Sequence, residues 1–479
     1  MIGLIKNKER PRAYRVIPIT VACAVMLAGC TSTNVNDDVG VASEVTRRAG
    51  LPTGAFESFD VSQSWVRERL RAVITEEDAI KIALLNNPRV VAEFSRLGVE
   101  RSHMLQAGLL NNPVFSADIN SNSTRTESEL ALAQPFLEIF MLAPRAAAAE
   151  DEYEAQRAVV IGELIRIVFE VRRACVEITY AQHVRRLVQS SVDVAEAATE
   201  IQRKLHAAGN VKDQQVTLDE VLESDLRLDL AGVTSQETRL REKLNVLLGA
   251  WGSDTTWTLK AELNQPVDVD MTTRLERRVI ESSLGLRAAR ASANSAAQLA
   301  GVAGWDWSVG ETSIGISKKR DSSAESEVGP IFSFSIPLFD AGQHRADGAN
   351  ALVRQRLAEY SALAIEIRAA ARVLRERVLA ANERLEYIRK VLVPLRARLT
   401  RETMRDFNAM QVGVFDVLMA RREEIAAERM ALGALSEARM ASLDLLELVA
   451  GRFDRQVIES AATGSHEQKM KVERSGRHP

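Results

Sequence analysis

Between Val353 and Leu399, apolar side chains recur at alternating steps of four and three residues. They are Val353, Leu357, Tyr360, Ala364, Ile367, Ala371, Leu374, Val378, Ala381, Leu385, Ile388, Leu392, Leu395 and Leu399. Such spacing marks a coiled-coil seam, because one helix face then keeps meeting a partner over many turns. The same beat runs earlier through Val160, Leu164, Ile167, Val171, Ala174, Ile178, Ala181, Val188, Val192 and Ala195, with Arg185 as the exception. Each run predicts a helix of about 60 residues, on the order of 90 Å at ~1.5 Å per residue. A rod of that length does not fit inside a compact domain. Pro394 lies within the second seam and should kink it or mark a local break, since it lacks a backbone donor. Charged runs such as Arg372, Arg375, Glu376 and Arg377 read as solvated helix faces.

A second pattern has period two. Phe115, Ala117 and Ile119 alternate with polar residues, as do Ile314 and Ile316, and Phe332, Phe334, Ile336 and Leu338, while Leu130 and Leu132 make a shorter case. Alternation of this kind predicts strands with one apolar and one wet face. The strands fall into two hairpins, about 113–137 and 305–339, around polar loops at 121–129 and 318–327. Each strand is long enough to cross a bilayer, yet four strands cannot close a barrel, and alone they would leave bare edges. Several copies contributing strands to one barrel would remove those edges. Trp305 and Trp307 precede the third strand, where an interfacial aromatic belt would put them.

Helix, hairpin and long helix pair occur twice, over 75–250 and 272–453, joined by an inter-repeat segment at 251–271. The first repeat opens on a capping-box-like Thr75-Glu76-Glu77-Asp78, with a helix expected to run towards Leu110; its counterpart should run from near Thr272 towards Val302. Landmarks recur about 200 residues apart: Gln134-Pro135-Phe136 with Ile336-Pro337-Leu338, Gly209 with Gly413, and Leu247-Leu248-Gly249 with Val449-Ala450-Gly451.

The N-terminus is an address. Five basic residues precede an apolar run from Val16 to Met26, then Leu27-Ala28-Gly29-Cys30. That run is too short to span a membrane and reads as a signal peptide, 1–29. Residues 30–74 then form a linker, and 454–479 a polar tail. The 479-residue chain carries a formal charge of −3; losing 1–29 removes five positive charges and one negative, which leaves −7. An acidic chain is not built for nucleic acid. Low aromatic content, 5%, fits Ala-rich helical seams better than globular cores.

Three cysteines make no disulfide framework, and Cys175, at helical spacing from Val171 and Ile178, reads as a small buried side chain. His103, His183, His206, His344, His466 and His478 show no metal-binding spacing, and no phosphate loop or nucleophile constellation is present, so neither catalysis, a cofactor nor a metal is expected.

The Leu-Ala-Gly-Cys tetrad resembles a bacterial lipobox, in which Cys30 becomes the lipidated N-terminus. Together with the two repeats, the Gly329-to-Gly342 strand-to-helix run and Val412-Gly413-Val414-Phe415-Asp416-Val417-Leu418, it resembles the outer-membrane efflux channel family typified by TolC, in its lipoprotein branch. The resemblance covers roughly Thr75 to Gly451. It implies a mainly α fold with a small membrane β-barrel: a homotrimer whose twelve strands close the barrel and whose helices continue as a coiled-coil tunnel. It further implies outer-membrane lipid around the barrel, a periplasmic adaptor and an inner-membrane pump as partners, and adaptor contact at the turns holding Gly209, Val412 and Gly413. Asp416 matches an acidic pore constriction, with Asp219 as the comparable acid of the first half, whereas Met419 stands where the namesake has a second Asp. The duct of a type I protein secretion system and a non-channel periplasmic scaffold lipoprotein are the alternatives.

Overall fold

The computed structural model describes residues 36–51, 63–121, 126–260, 274–305, 312–320, 326–334, 336 and 338–456. In chain order its elements are α1 (Asn36–Arg48), α2 (Gln63–Arg69), β1 (Val73–Ile74), α3 (Glu76–Asn86), α4 (Pro88–Ala107), β2 (Val114–Ser121), β3 (Thr126–Pro135), α5 (Glu138–Ala207) and α6 (Asp213–Leu248). There follow β4 (Thr258–Leu259), α7 (Leu275–Ser282), α8 (Leu284–Ala300), β5 (Ser313–Arg320), β6 (Ser326–Ser333), α9 (Gln343–Tyr387), α10 (Val393–Asn408) and α11 (Val414–Val449). Cys30 and Trp307 lie outside the described residues, as do nearly all of the tail and the Thr272 start.

The opening helix of each repeat is two helices. Thr75 and Asp78 cap α3 reciprocally, Asp78 N–H donating to Thr75 Oγ1 at 3.1 Å and Thr75 N–H to Asp78 Oδ2 at 3.0 Å. The helix stops at Asn87 because Pro88 cannot continue it but suits the first position of the next; Asn87 Oδ1 then accepts from Arg89 N–H at 2.9 Å. In the second repeat the break is at Ser283, whose hydroxyl caps α8 by accepting from Leu286 N–H at 3.1 Å. Both breaks are gripped by the end of their own repeat. Asn86 Nδ2 donates to the Leu248 and Gly249 carbonyls, Asn87 Nδ2 to Leu247, and Leu284 N–H to Gly451. Gly249 and Gly451 occupy the matching corners, each with positive φ.

Helix α5 is one rod of 70 residues, about 105 Å long. Its seam residues from Val160 to Ala195 are buried against α3, α4, α6, α8 and α11. Arg185, the interruption, swings to Glu237 at 2.7 Å and stays partly exposed. The second rod is α9 and α10 joined by a π turn at Ile388–Leu392, where Val393 N–H bonds back to Ile388. Wider winding just ahead of Pro394 accommodates its missing donor, so the rod continues without a break. Only the middle of this seam is buried: Ile367, Ala371, Leu374, Val378, Ala381, Leu385 and Ile388 pack on α7 and α11, whereas Leu357, Leu395 and Leu399 are exposed.

The segment read as a linker carries α1 and α2. Val41, Ala42 and Val45 of α1 are buried in the core around α5. Glu44 gathers Arg48, Arg157 and Arg287; burial opposes its charge, but these guanidinium groups hold its pKa below the ordinary carboxylate value. Arg48 Nη1 donates to Ser282 O at 2.7 Å and Ala450 O at 3.1 Å, which pins α1 to the second repeat. Parallel pairing of β1 with β4 closes the first repeat, over a fully buried Trp257 whose Nε1–H donates to Asn245 Oδ1 at 2.8 Å. No helix among the described residues is long and apolar enough to cross a membrane.

Candidate functional site: the sheet face and the two helix turns

Four strands make one antiparallel sheet in the order β2-β3-β5-β6, the hairpins joined through β3 and β5. Strands differ in extent from the sequence reading: β5 takes in Lys318–Arg320 and β6 starts at Ser326, but β6 ends at Ser333, so Phe334, Ile336 and Leu338 lie beyond it. Register decides the chemistry of the two faces. Phe115 pairs with Leu132, Leu132 with Ile316 and Ile316 with Pro330; one step along, Ala117, Leu130, Lys318 and Val328 are in line. Cα partners share a face, so Phe115, Leu130, Leu132, Ile314, Ile316, Val328 and Phe332 all lie on one side. The other side carries Ser116, Asp118, Asn120, Glu127, Glu129, Gly315, Ser317 and Gly329, with Lys319 3.4 Å from Glu127, and towards the strand bases Val114 and Ile331. The apolar side chains are exposed. Lys318 and Arg320 sit on the apolar face towards the hairpin tips, where long basic side chains can reach an aqueous rim. The outer strands β2 and β6 pair on one side only.

At the strand bases, buried Glu138 accepts from the backbone N–H and side chain of Asn111, and Gln134 Nε2 donates to Asn111 O at 2.9 Å. The sheet is thereby fixed to the start of the α5 rod. Trp305 is exposed in a short 3₁₀ turn ahead of β5.

At the far end are the two turns. Helix α5 ends in a left-handed Gly209, φ +78°, with Ala208 N–H bonded to Lys204 O, Gly209 N–H to His206 O and Asn210 N–H to Leu205 O. His206 Nδ1 donates to Val211 O at 2.9 Å. The second turn repeats these bonds with Ala409 to Arg405, Met410 to Phe407 and Gln411 to Asp406. The structural counterpart of Gly209 is therefore Met410, φ +62°, and the pairing of Gly209 with Gly413 is corrected by three residues. Gly413 instead matches Lys212, each being the extended residue that starts the return helix. Met410 accepts a backbone conformation disfavoured for L-residues, with a side chain 95% exposed. Val412 is half-buried beside it.

Asp416 is exposed, and its Oδ2 accepts from Gly413 N–H at 2.9 Å, which caps α11 and places negative charge at its N-terminus. The first-half position matching Asp416 is Gln215. Asp219 lies a turn further along α6, only 2% exposed, in the seam facing α5 beside Gln202. The structure thus places Asp219 inside the α5–α6 seam, whereas Asp416 is exposed. Between α5, α6 and α11 runs a cleft of about 370 Å³, lined by Leu222, Asp225, Leu418, Arg421 and Ile425 among others. Arg429 of α11 reaches Asp229 of α6 at 2.8 Å across it. No cluster of metal-ligating side chains occurs among the described residues.

At the level of sequence the chain matches no protein-family description and no characterised protein. Solved structures do match its fold. CusC superposes with a TM-score of 0.66 at 16% identity, over 79% of this chain and 92% of that one. The outer-membrane protein VceC of Vibrio cholerae gives 0.63 at 18%, over 79% and 97%, and the outer-membrane channel MtrE of Neisseria gonorrhoeae 0.62 at 16%, over 81% and 90%. The chain thus shares the fold of TolC-like outer-membrane channels.

Proposed function

We propose that three copies of this chain form the outer-membrane exit duct of a tripartite efflux system. The observation that carries this reading is the sheet: its register sets most of the large apolar side chains, Val114 and Ile331 excepted, on one exposed face, and both edges pair on one side only. Lipid would cover that face, and the polar face would line a lumen. Because the four strands alternate in direction, β6 of one copy meets β2 of the next antiparallel, and the ring closes without a mismatch. Two copies would give eight strands, a barrel filled by its own side chains; three give twelve and leave a passage. The bare stretches of the α9–α10 seam fit the same assembly, since neighbouring copies would cover Leu357, Leu395 and Leu399.

In this reading Cys30 carries the lipid that anchors the mature chain in the outer membrane of a Gram-negative bacterium. The rods cross the periplasm, and the turns at Gly209, Val412 and Gly413 meet a periplasmic adaptor joined to an inner-membrane pump. Asp416, exposed beside the second turn, supplies a ring of negative charge near the narrow end, where three carboxylates focus potential and attract cations. A scaffold lipoprotein would leave the apolar sheet face in water, which disfavours that alternative. The test is conductance in planar bilayers with sizing in detergent. Heat-resistant trimers that conduct, and whose divalent-cation block weakens in Asp416→Asn, support the reading; a monomer without conductance refutes it.

A further inference from the structure

The α5–α6 seam changes character as it nears its turn. Farther from the turn, Val184 and Val188 pack on Val233. Closer to it, polar residues join the buried set, Thr199 and Gln202 on α5 and Asp219 and Glu223 on α6, beside Ala198, Val216 and Leu222. Two of the four polar residues are satisfied: Thr199 Oγ1 donates to Ala195 O at 3.0 Å, and Glu223 is paired with Arg227 at 2.7 Å. Asp219 is not. Neither of its oxygens finds a donor with hydrogen-bond geometry, and burial raises its pKa, opposed only in part by the neighbouring Gln202 amide. The surrounding cations are engaged elsewhere: Arg203 with Glu220, Arg227 with Glu196 as well as Glu223, and Arg421 of α11 with Glu424. Arg422 lines the cleft on the Leu222 flank of α6. Apolar packing at a seam position would be the stable choice, and a lone buried carboxylate is costly.

We propose that Asp219 is a proton-operated latch on the turn-proximal end of the α5–α6 coil. As a neutral acid it donates its proton to the Gln202 side-chain carbonyl and keeps the last turns zipped. As a carboxylate, its proton given up to water, it draws those turns apart to reach solvent. The inference rests on the coil alone, independent of the channel reading. Its sign follows from linkage. The packed state holds the proton more tightly, so its extra stability is complete below the ordinary carboxylate pKa and is lost as pH rises through the elevated value.

Hydrogen–deuterium exchange on the full-length protein in detergent tests this, comparing 195–225 with 395–425, the equivalent coil end, in which no carboxylate is buried. After correction for intrinsic exchange, the protection of 195–225 relative to 395–425 should fall with pH. The fall should be up to about tenfold per unit between the ordinary and elevated pKa, and the ratio level above. In Asp219→Asn the ratio should be independent of pH, and in Asp219→Leu both independent of pH and higher throughout. A pH-independent ratio in the unmodified protein, or the same pH dependence in Asp219→Asn, overturns the proposal.

Discussion

Replacing Gly451 by alanine perturbs the one corner where α1, α7, α8 and α11 meet. Its φ is +107°, and a Cβ there would overlap Ser282 O and lie 2.7 Å from Arg48 Nη1 and 3.3 Å from Leu284 Cγ. Two costs follow. The backbone conformation itself costs an L-residue about 1–2 kcal/mol. The Ser282 carbonyl must shift, disturbing the α7–α8 break, and Arg48 gives way as well, losing its bonds to Ser282 and Ala450; hydrogen bonds from a charged donor are worth about 1.5–3 kcal/mol each. Together, with two such bonds lost, the loss is about 4–8 kcal/mol. Gly209→Ala provides the internal control, because φ there is +78° but nothing lies within 4 Å of the added carbon. It should lose only the conformational part, about 1–2 kcal/mol. Gly249, whose Cβ would sit 2.6 Å from Asn86 O, should fall between. Urea unfolding of the three variants in the same detergent, followed by far-ultraviolet circular dichroism, gives the ranking. Equal losses at Gly451 and Gly209 would refute the argument that close approach at the repeat corner, rather than backbone conformation, makes glycine necessary.

Trp257→Ala removes a fully buried ring that Arg241 covers at 4.1 Å and that holds Asn245; it should cost about 3–5 kcal/mol and abolish the near-ultraviolet dichroism of that indole. At Gly315 a Cβ would come within 2.9 Å of Ala133 Cα and closer still to the Leu132 carbonyl, so Gly315→Val should unpair β3 from β5 and eliminate heat-resistant oligomers in gel analysis, while Gly329→Ala, in open space, should leave them intact. Burial pushes the Cys175 thiol pKa up, so it should resist maleimide at neutral pH in the folded protein and react on denaturation; rapid labelling of the native protein would contradict its placement in the core.

The rods were legible because a coiled-coil seam is written at single-residue spacing. The α5 run from Val160 to Ala195 is buried as its periodicity demands, and Arg185 departs from the pattern to meet Glu237. The α9–α10 run was legible in a fuller sense than one chain can satisfy. Leu357, Leu395 and Leu399 keep the beat and yet are exposed, since hydrophobic spacing does not distinguish a partner in the same chain from one in another. Strand faces were readable for the same reason, but not their extent: Lys318 and Arg320 are charged residues in a ladder. Helix α1 escaped notice because its buried face is the short Val41, Ala42 and Val45 beside polar neighbours. The break at Ser283 has no proline to announce it. Glycine does not mark the same position in both turns: the left-handed residue is Gly209 in the first and Met410 in the second, where Gly413 starts a helix instead. The burial of Asp219 depends on helical phase against α5, which its distance from a turn does not carry.

The open-edged sheet has a genetic consequence. A ring closed by each copy's β6 on the next copy's β2 has no redundancy, and one subunit with a faulty edge leaves a seam that its neighbours cannot mend. In the proposed three-copy ring, equal co-expression of a wild-type chain and an edge-defective, assembly-competent chain leaves about one ring in eight free of the fault. Edge substitutions in β2 or β6 should therefore behave as dominant lesions, whereas substitutions that prevent a chain from folding should be recessive.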